Sequence, residues 1–453
     1  MRKIIQYMMM ALIAVVLASC ANDISEESTP TVKSNIRFVV DDFPMFEKPS
    51  TRTIGEEDKG KTAWAVGDEI CVKLESKELG TQTATLKYNG VKFEIQDGNS
   101  LCYLDGEPVT AYAYYAPNRK WRNGSLDFKD IYGNPNGTAE FLEATCTVHY
   151  GDNNYVDISF ANATRNYSRL RIATIPKTEI KVDADNFAPT DNPNLLYMTY
   201  TLTSDEKGNA YLYGTFDNNS IVTVKYRGAS LATHKFSKKT ENAKSYALDA
   251  TVISANSAEE INSAIKQEVA DGKTAIRLNI ASDAGDNEFN AIREAFENVR
   301  GYGTIDLTLI GCKEIPVNGL YRIMALKSIT LPDVTKIRMD ALSSCLYLQE
   351  ICAPNVSAID EYAFGKCRYL KKVTLGKLTD VRGEANSRSG IFDDINDLNP
   401  DIDLYLPKNQ EVMEFDENSN QYIWKPTGES YFAGSDKDNV FLGYQFMSVK
   451  KWE

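Results

Sequence analysis

The stretch Leu348-Gln-Glu-Ile-Cys-Ala-Pro354, continued by Ile359-Asp-Glu-Tyr-Ala-Phe364-Gly-Lys-Cys367-Arg-Tyr-Leu370, decides the fold, because its pattern returns every 22 residues. Setting Thr304, Leu326, Leu348 and Leu370 level puts Leu307, Ile329, Ile351 and Val373 in one column and Leu309, Leu331, Ala353 and Leu375 in the next. Ile315, Ile337, Ile359 and Val381 form a third column, and Leu320, Leu342 and Phe364 a fourth. Apolar columns at a fixed period mark units that bury their faces only by stacking. Each unit reads as a strand, a turn and a short helical or irregular return, with strands about 4.8 Å apart. After an insertion rich in Ser, Arg, Gly and Asp at 382–400, the strand recurs as Asp401-Ile-Asp-Leu404-Tyr-Leu406-Pro407.

Side chains alternate faces along a strand, so the positions between the buried columns point outward. Coil by coil they are Arg277 and Asn279, Asp306 and Thr308, Ser328 and Thr330, Glu350 and Cys352, Lys372 and Thr374, Asp403 and Tyr405. This polar ladder, roughly 25 Å tall at about 4.8 Å per coil, is the candidate ligand face. The spelling over about 304–407 resembles the leucine-rich repeat of the BspA type. The resemblance implies an extracellular adhesion or recognition solenoid, in a family with members that bind host matrix proteins.

Two helices precede the repeat. Ser257-Ala-Glu-Glu260 is a capping box, with Ile261, Ala264, Ile265 and Val269 on one face and Gly272 as the stop. After the strand pattern at Ala275, Phe289, Ile292, Phe296 and Val299 mark a second amphipathic helix ended by Gly301. Residues 251–407 are therefore expected to be the repeat domain with a helical N-terminal cap, and 408–453 a C-terminal cap.

Residues 36–250 carry short alternating segments such as Ile36-Arg-Phe-Val-Val, Glu69-Ile-Cys-Val-Lys-Leu, Asn154-Tyr-Val-Asp-Ile-Ser-Phe and Ser220-Ile-Val-Thr-Val-Lys-Tyr. Period two with Asn-Gly, Asp-Gly and Pro punctuation predicts an antiparallel sandwich, as one domain or as two with a boundary near residue 176. Tyr112 and Tyr114 share a strand face, and filling the core is the expected role ahead of stacking on sugar rings.

Thr51-Arg52-Thr53 followed by Trp64-Ala-Val-Gly67-Asp68-Glu-Ile70, then Thr110-Ala-Tyr-Ala-Tyr-Tyr-Ala-Pro117 and Leu212-Tyr-Gly-Thr-Phe, resembles the fimbrillin family of Bacteroidetes surface lipoproteins. That resemblance implies a transthyretin-like β-sandwich. Polymerising members lose an N-terminal strand after cleavage at an arginine and accept a donated strand from the next subunit. Arg52 lies where such a cut would fall, although an ordinary exposed loop arginine is the simpler reading. The fold class expected is multidomain: an all-β transthyretin-like sandwich region followed by an α/β leucine-rich-repeat solenoid.

The N-terminus fits export. Arg2 and Lys3 precede an apolar run from Ile4 to Val16, and Leu17-Ala-Ser-Cys20 supplies a small-residue cleavage site. The run is shorter than the roughly 20 apolar residues of a membrane span. The ending resembles a bacterial lipobox, which implies a signal peptide over 1–19, acylation of Cys20 and anchoring to the outer membrane, with the cell surface as its outward side. Residues 20–35, polar with Asp23, Glu26, Glu27 and Pro30, read as a tether.

Composition narrows the function. A net charge of −13 with 43% hydrophobic residues describes a folded acidic protein without general attraction for nucleic acid. Gly55-Glu-Glu-Asp-Lys-Gly60-Lys61-Thr62 fits the phosphate-loop pattern. Glu56, Glu57 and Asp58 would oppose phosphates at ~4 kcal/mol each at ~4 Å, and the flank reads as turn and strand where a helix is needed. No nucleotide is expected.

The only histidines, His149 and His234, sit in no metal spacing and beside no serine elbow. Asp283-Ala-Gly-Asp286 and Asp436-Lys-Asp438 lack full calcium-loop spacing. No catalytic residue, metal or cofactor is expected. With Cys20 assigned to lipid, seven cysteines remain, an odd number that argues against a complete disulfide framework. Cys345 and Cys367 share a column with Ile323, and Cys312 shares one with Val334, Val356 and Leu378, so all three read as core, with a Cys345–Cys367 bridge geometrically allowed. Cys352, in a threonine column, reads as an outward free thiol. A binding or adhesion lipoprotein ranks first, a pilus-like structural component second and an enzyme last.

Overall fold

The computed structural model describes residues 32–33, 36–50, 59–96, 101–104, 106–117, 119–122, 125–127, 137–150, 154–160, 165–190, 197–381, 390–393, 401–410, 413–416, 421–424, 439–442 and 444–452. Cys20, Arg52, the leader, most of the tether, residues 55–58 of the phosphate-loop match, most of the 382–400 insertion, and Asp436 with Asp438 lie outside them. No helix among the described residues is long and apolar enough to cross a membrane.

The first β-unit is one seven-stranded sheet. Its order is Arg37–Val40, Tyr155–Ser159, Leu142–His149, Val109–Tyr115, Glu69–Ser76, Gly80–Tyr88 and Phe93–Ile95. All pairs are antiparallel except the first, where Arg37–Val40 runs parallel to Tyr155–Ser159. The alternating residues Ile70, Val72, Leu74, Ala84, Leu86, Val156 and Ile158 are buried on one face. Period two reports that one face is covered but not what covers it, and here the sheet's two end strands come round to face each other across a groove. Among the described residues the unit adds to this sheet the two-residue pairing of Val32–Lys33 with Tyr103–Leu104 and the short hairpin of Lys120–Arg122 with Ser125–Asp127.

The second unit is a sandwich of two sheets. One four-stranded sheet is ordered Phe187–Pro189, Asn209–Phe216, Ser168–Ala173, Ser245–Asp249, and the other Tyr197–Thr203, Glu179–Asp185, Ile221–Tyr226, Ala229–Lys235. Leu170, Ile172, Val182, Leu212, Val222 and Val224 fill the space between them. Along the chain, Tyr167 still belongs to the first core and Leu170 to the second.

Tyr112 and Tyr114 correct the core reading. Ala111, Ala113 and Tyr115 are the buried set on that strand, and the two tyrosines lie half-exposed on the other face. Lys73 Nζ sits 4.3 Å over the Tyr112 ring, and Tyr114 stacks on Phe141. Bulk suggested the inner face, but the alternation turns Ala111, Ala113 and Tyr115 inward and so puts Tyr112 and Tyr114 on the opposite side.

The repeat builds one eight-stranded parallel sheet: Ile253–Ser254, Ala275–Asn279, Ile305–Ile310, Leu326–Thr330, Glu350–Ala353, Lys372–Leu375, Asp403–Pro407 and Ser448–Trp452. Every apolar column is buried in one continuous core. Among the described residues the return legs hold no helix. They form a second parallel sheet of two-residue strands, Glu314–Ile315, Lys336–Ile337, Ala358–Ile359 and Asp380–Val381. Left-handed turns recur at the period, with φ near 60° at Arg322, Ser344 and Lys366. The α-helices among the described residues are the two ahead of the repeat, so the α/β character expected of the coils belongs to the cap alone.

Those helices follow their sequence signals. Ser257 Oγ accepts from the Glu260 N–H at 3.2 Å, Glu260 accepts from the Asn256 N–H at 2.8 Å, and helix Ala258–Ala270 buries Ile261 and Ile265. Helix Asp286–Phe296 stops five residues before Gly301, and Glu288 caps it by accepting from the Gly285 N–H at 2.9 Å.

Candidate ligand-binding face

The parallel register aligns the outward residues in two rows. Asp306, Ser328, Glu350, Lys372, Asp403 and Ser448 make one row; Thr308, Thr330, Cys352, Thr374, Tyr405 and Lys450 make the other. Two corrections follow. Arg277 stands opposite Thr308 and not Asp306, so the first coil is shifted by two residues from the expected alignment. The final strand Ser448–Trp452 adds a rung that the repeat columns missed; of the apolar pattern it keeps Val449, which is buried, while Lys451 breaks the alternation.

The start of the ladder is not free. Arg277 donates from Nε to the Leu231 carbonyl of the sandwich at 2.7 Å, and burial lowers the pKa of its guanidinium. Thr308 beside it is buried, the Oδ1 of Asn279 lies against Gly311, and Ile310 belongs to the sandwich core. A Cβ on Gly311 (φ +92°) would stand 2.2 Å from the Ile280 carbonyl oxygen, so only glycine fits that close passage. Arg277 thus serves the junction between sandwich and solenoid, with Thr308 buried beside it.

From Asp306 onward the face is open and its charges are paired. Ser328 donates to Asp306 at 2.6 Å, Lys327 lies 3.8 Å from the same carboxylate, and Lys372 lies 3.9 Å from exposed Glu350. Asp403 accepts from Ser448 and, at 2.9 Å, from Lys450; these two contacts hold its carboxyl below the usual range, Ser448 contributing most. The Tyr405 ring is flanked by Lys372 Nζ at 5.7 Å and Lys450 Nζ at 5.5 Å. Cys352 is a free, half-buried thiol among the outward threonines, and burial pushes its pKa up to about 11, which keeps it protonated and a poor nucleophile at neutral pH. Cys345 and Cys367 are free and buried in the core, and each thiol donates to a carbonyl, of Leu320 and Leu342 respectively.

Other singled-out residues have structural partners. Lys61, the lysine of the phosphate-loop match, pairs with Asp68, donates to Tyr115 Oη at 3.1 Å and stands over the rings of Phe43, Trp64 and Tyr115 at 5.2, 5.9 and 5.0 Å. After Thr62 the chain continues into a turn and the strand Glu69–Ser76. His149 stacks on Tyr155 and lies 2.9 Å from Asp157, while His234 packs edge-on against Phe236. Among the described residues no three His, Cys, Asp or Glu gather as a metal site.

Residues 290–392 match the family described as BspA type leucine rich repeat region. The repeats are of the BspA type. Among solved structures the chain is similar to two mutants of the shaft pilin SpaA from Lactobacillus rhamnosus GG. They are 10% and 12% identical, cover 49% and 48% of this chain and 98% and 96% of theirs, and have a TM-score of 0.17. The Bacillus anthracis TIE protein is 10% identical over 52% of this chain and 61% of its own, at a TM-score of 0.14. Likenesses that low carry no argument. The comparison with curated proteins found no match.

Proposed function

We propose that this chain is a Bacteroidetes-type surface lipoprotein, anchored in the outer membrane through Cys20, that recognises a protein or glycan ligand through its BspA-type repeats. The supporting observation is the open part of the sheet face from Asp306 to Lys450, polar, regular and continuous across six strands. BspA-type repeats are often adhesion-related, which fits a binding role ahead of an enzymatic one. In this reading no cofactor, nucleotide or nucleic acid takes part. A glycan array run with a matrix-protein panel supplies the ligand. Glu350→Ala, Lys372→Ala or Tyr405→Ala then weakens it by about 1 kcal/mol or more without moving the melting curve. A ligand indifferent to all three places the site elsewhere. Cys20→Ala releases the protein from the membrane fraction, and unchanged fractionation removes the lipoprotein reading.

The alternative is a pilus-like structural or accessory part assembled through a fimbrillin-like, transthyretin-like N-terminal region. One observation favours it: a groove of about 630 Å³ separates the end strands Arg37–Val40 and Phe93–Ile95, and Val39 at its rim is 50% exposed. Facing end strands are where another strand can add. Trypsin nicking, with Arg52 as the expected cut, followed by sizing distinguishes the readings, because a chain that stays monomeric when nicked does not assemble this way.

A further inference from the structure

The turns that lead into the solenoid strands form an edge unlike the rest of the chain. Acidic residues outnumber basic ones 63 to 50 overall, yet the segments 298–304, 320–327, 342–349 and 364–371 contain no Asp or Glu. They carry Arg300, Arg322, Lys327, Lys366, Arg368 and Lys371. The flanking carboxylates Glu297, Asp306, Asp340, Glu350 and Glu361 lie outside these segments.

Backbone bonds hold the turns in register from coil to coil: Gly303 N–H to Met324 O at 2.9 Å, Gln349 N–H to Lys327 O at 2.7 Å, Tyr369 N–H to Leu346 O at 3.2 Å and Lys371 N–H to Gln349 O at 2.8 Å. The cations therefore stand on a rigid edge, in two groups either side of the uncharged coil 342–349, and all six belong to exposed residues, with Lys327 3.8 Å from Asp306.

Three tyrosines run along the same edge as one stack. Tyr302 and Tyr347 lie 4.9 Å apart and 6° from parallel, and Tyr347 and Tyr369 lie 5.3 Å apart and 8° from parallel. The end members are 67% and 54% exposed. Large rings left this open to water, beside a linear row of cations, present apolar faces and phenol donors together with positive charge.

We propose that this edge binds an anionic polysaccharide, sulfated or carboxylated, lying along the solenoid axis. A chain of sugar rings carries its anions at intervals along its length, which suits two cation groups spaced along the solenoid axis, and its C–H faces suit the exposed rings of Tyr302 and Tyr369. The edge is one narrow row, a poor match to a flat lipid surface. A nucleic-acid duplex, with one charge per ~1.7 Å, would meet repulsion from the acidic body of the protein. The proposal shares with the adhesion reading only the premise that the repeats meet a ligand, and it uses a different surface from the sheet face.

The test is binding of the full chain to immobilised heparin and dextran sulfate, with uncharged dextran as control, across a salt series. Retention on the charged polymers and not on dextran is expected, weakening steeply with salt. Arg322→Asn together with Arg368→Gln should lower affinity about tenfold and flatten the salt dependence. Asn tolerates the left-handed φ at Arg322, so the melting curve should hold. Tyr302→Ala with Tyr369→Ala is a second, charge-neutral variant and should weaken binding at constant salt slope. Glu350→Ala should leave heparin binding unchanged, which separates this edge from the sheet face. Equal retention on dextran, indifference to both double variants, or stronger binding to duplex DNA or to phosphatidylglycerol vesicles than to heparin overturns the proposal.

Discussion

The solenoid and the two β-units are held together by different physics. In the solenoid a single apolar core runs without a break from Ile261 to Val449, and each coil repeats the last. The β-units have separate cores, and the joint between them mixes polar contacts with aromatic ones, Phe46 and Tyr167 lying 6.4 and 6.5 Å from Tyr213 of the sandwich. Arg165, fully buried, pairs with Glu140, donates to the Pro44 carbonyl at 3.0 Å and lies 3.9 Å over the Phe46 ring. Glu47 bridges to Lys244, with Glu47 N–H to Ala243 O at 3.0 Å and Ser245 N–H to Glu47 O at 2.8 Å. Buried ion pairs add little net stability but fix one arrangement, because neither partner tolerates being left alone. The comparison teaches that the repeats share one core from coil to coil, whereas the relative placement of the β-units depends on a few named contacts, the buried Arg165–Glu140 pair among them.

The sharpest way to break this picture is Phe364→Ala. The ring is fully buried, 5.4 Å from Phe392, in the Leu320 and Leu342 column. Its loss should cost about 3–5 kcal/mol in denaturant melts of the solenoid transition, and a loss below ~1 kcal/mol would refute a continuous core.

Next comes the joint. Arg165→Met with Glu140 intact should cost about 3 kcal/mol, because a buried carboxylate is stranded, whereas Arg165→Met with Glu140→Leu should recover most of that stability. Burial already raises the Glu140 pKa, with Arg165 the main influence opposing it, so the single variant should also gain stability as pH falls and Glu140 protonates. Equal costs for single and double variants would mean the joint is held by packing instead.

A smaller effect is expected at the sandwich–solenoid junction. Asp333 is 3% exposed, pairs with Arg227 and accepts from the Gly311 N–H at 3.0 Å. Asp333→Ala leaves that N–H without this acceptor and should cost about 1–3 kcal/mol. Loss of the junction should show as separate melting of the sandwich and the repeats, and a single cooperative transition of unchanged midpoint would argue against it.

What the sequence made legible follows the same division. The columns of Leu307, Ile329 and Leu342 were readable because a repeat states its own register several times over. Ser448–Trp452 was not, since it returns after a long excursion and has no neighbour in sequence to align with. Arg277 shows the same limit: it precedes the regular period, so its pairing with Thr308 depends on a backbone offset that residue types do not encode. In the β-units the strands were readable, but not the closure of seven of them into one curled sheet. Tyr112 and Tyr114 misled because residue size stood in for direction. The basic edge went unseen because the outward ladder was sought only along strands, while its signal, acid-free turns with tyrosines, lies between them.

The smallest expected effect concerns the last rung. Asp403 links the strand Asp403–Pro407 to Ser448–Trp452 through Ser448 and Lys450, and these contacts lower its pKa from the ordinary 3.8. A carboxylate whose folded pKa is depressed contributes stability that is complete above its unfolded pKa and disappears as pH falls through the folded one. The docking of the final strand should therefore be constant at neutral pH and weaken only below about 3.8. Because the pair is largely exposed, solvent screens it and the global melting temperature should barely change. Hydrogen exchange of the Lys451 amide, compared between the native chain and Asp403→Asn across that acid range, reads the effect, whereas the Val449 amide also donates to Asn439 Oδ1 at 3.2 Å. The native chain should lose protection as pH falls, relative to intrinsic exchange, and the variant should start lower and stay flat. Parallel pH profiles for the two would mean that Trp452, donating to the Leu375 carbonyl at 2.8 Å, holds the strand without help from the Asp403 pair.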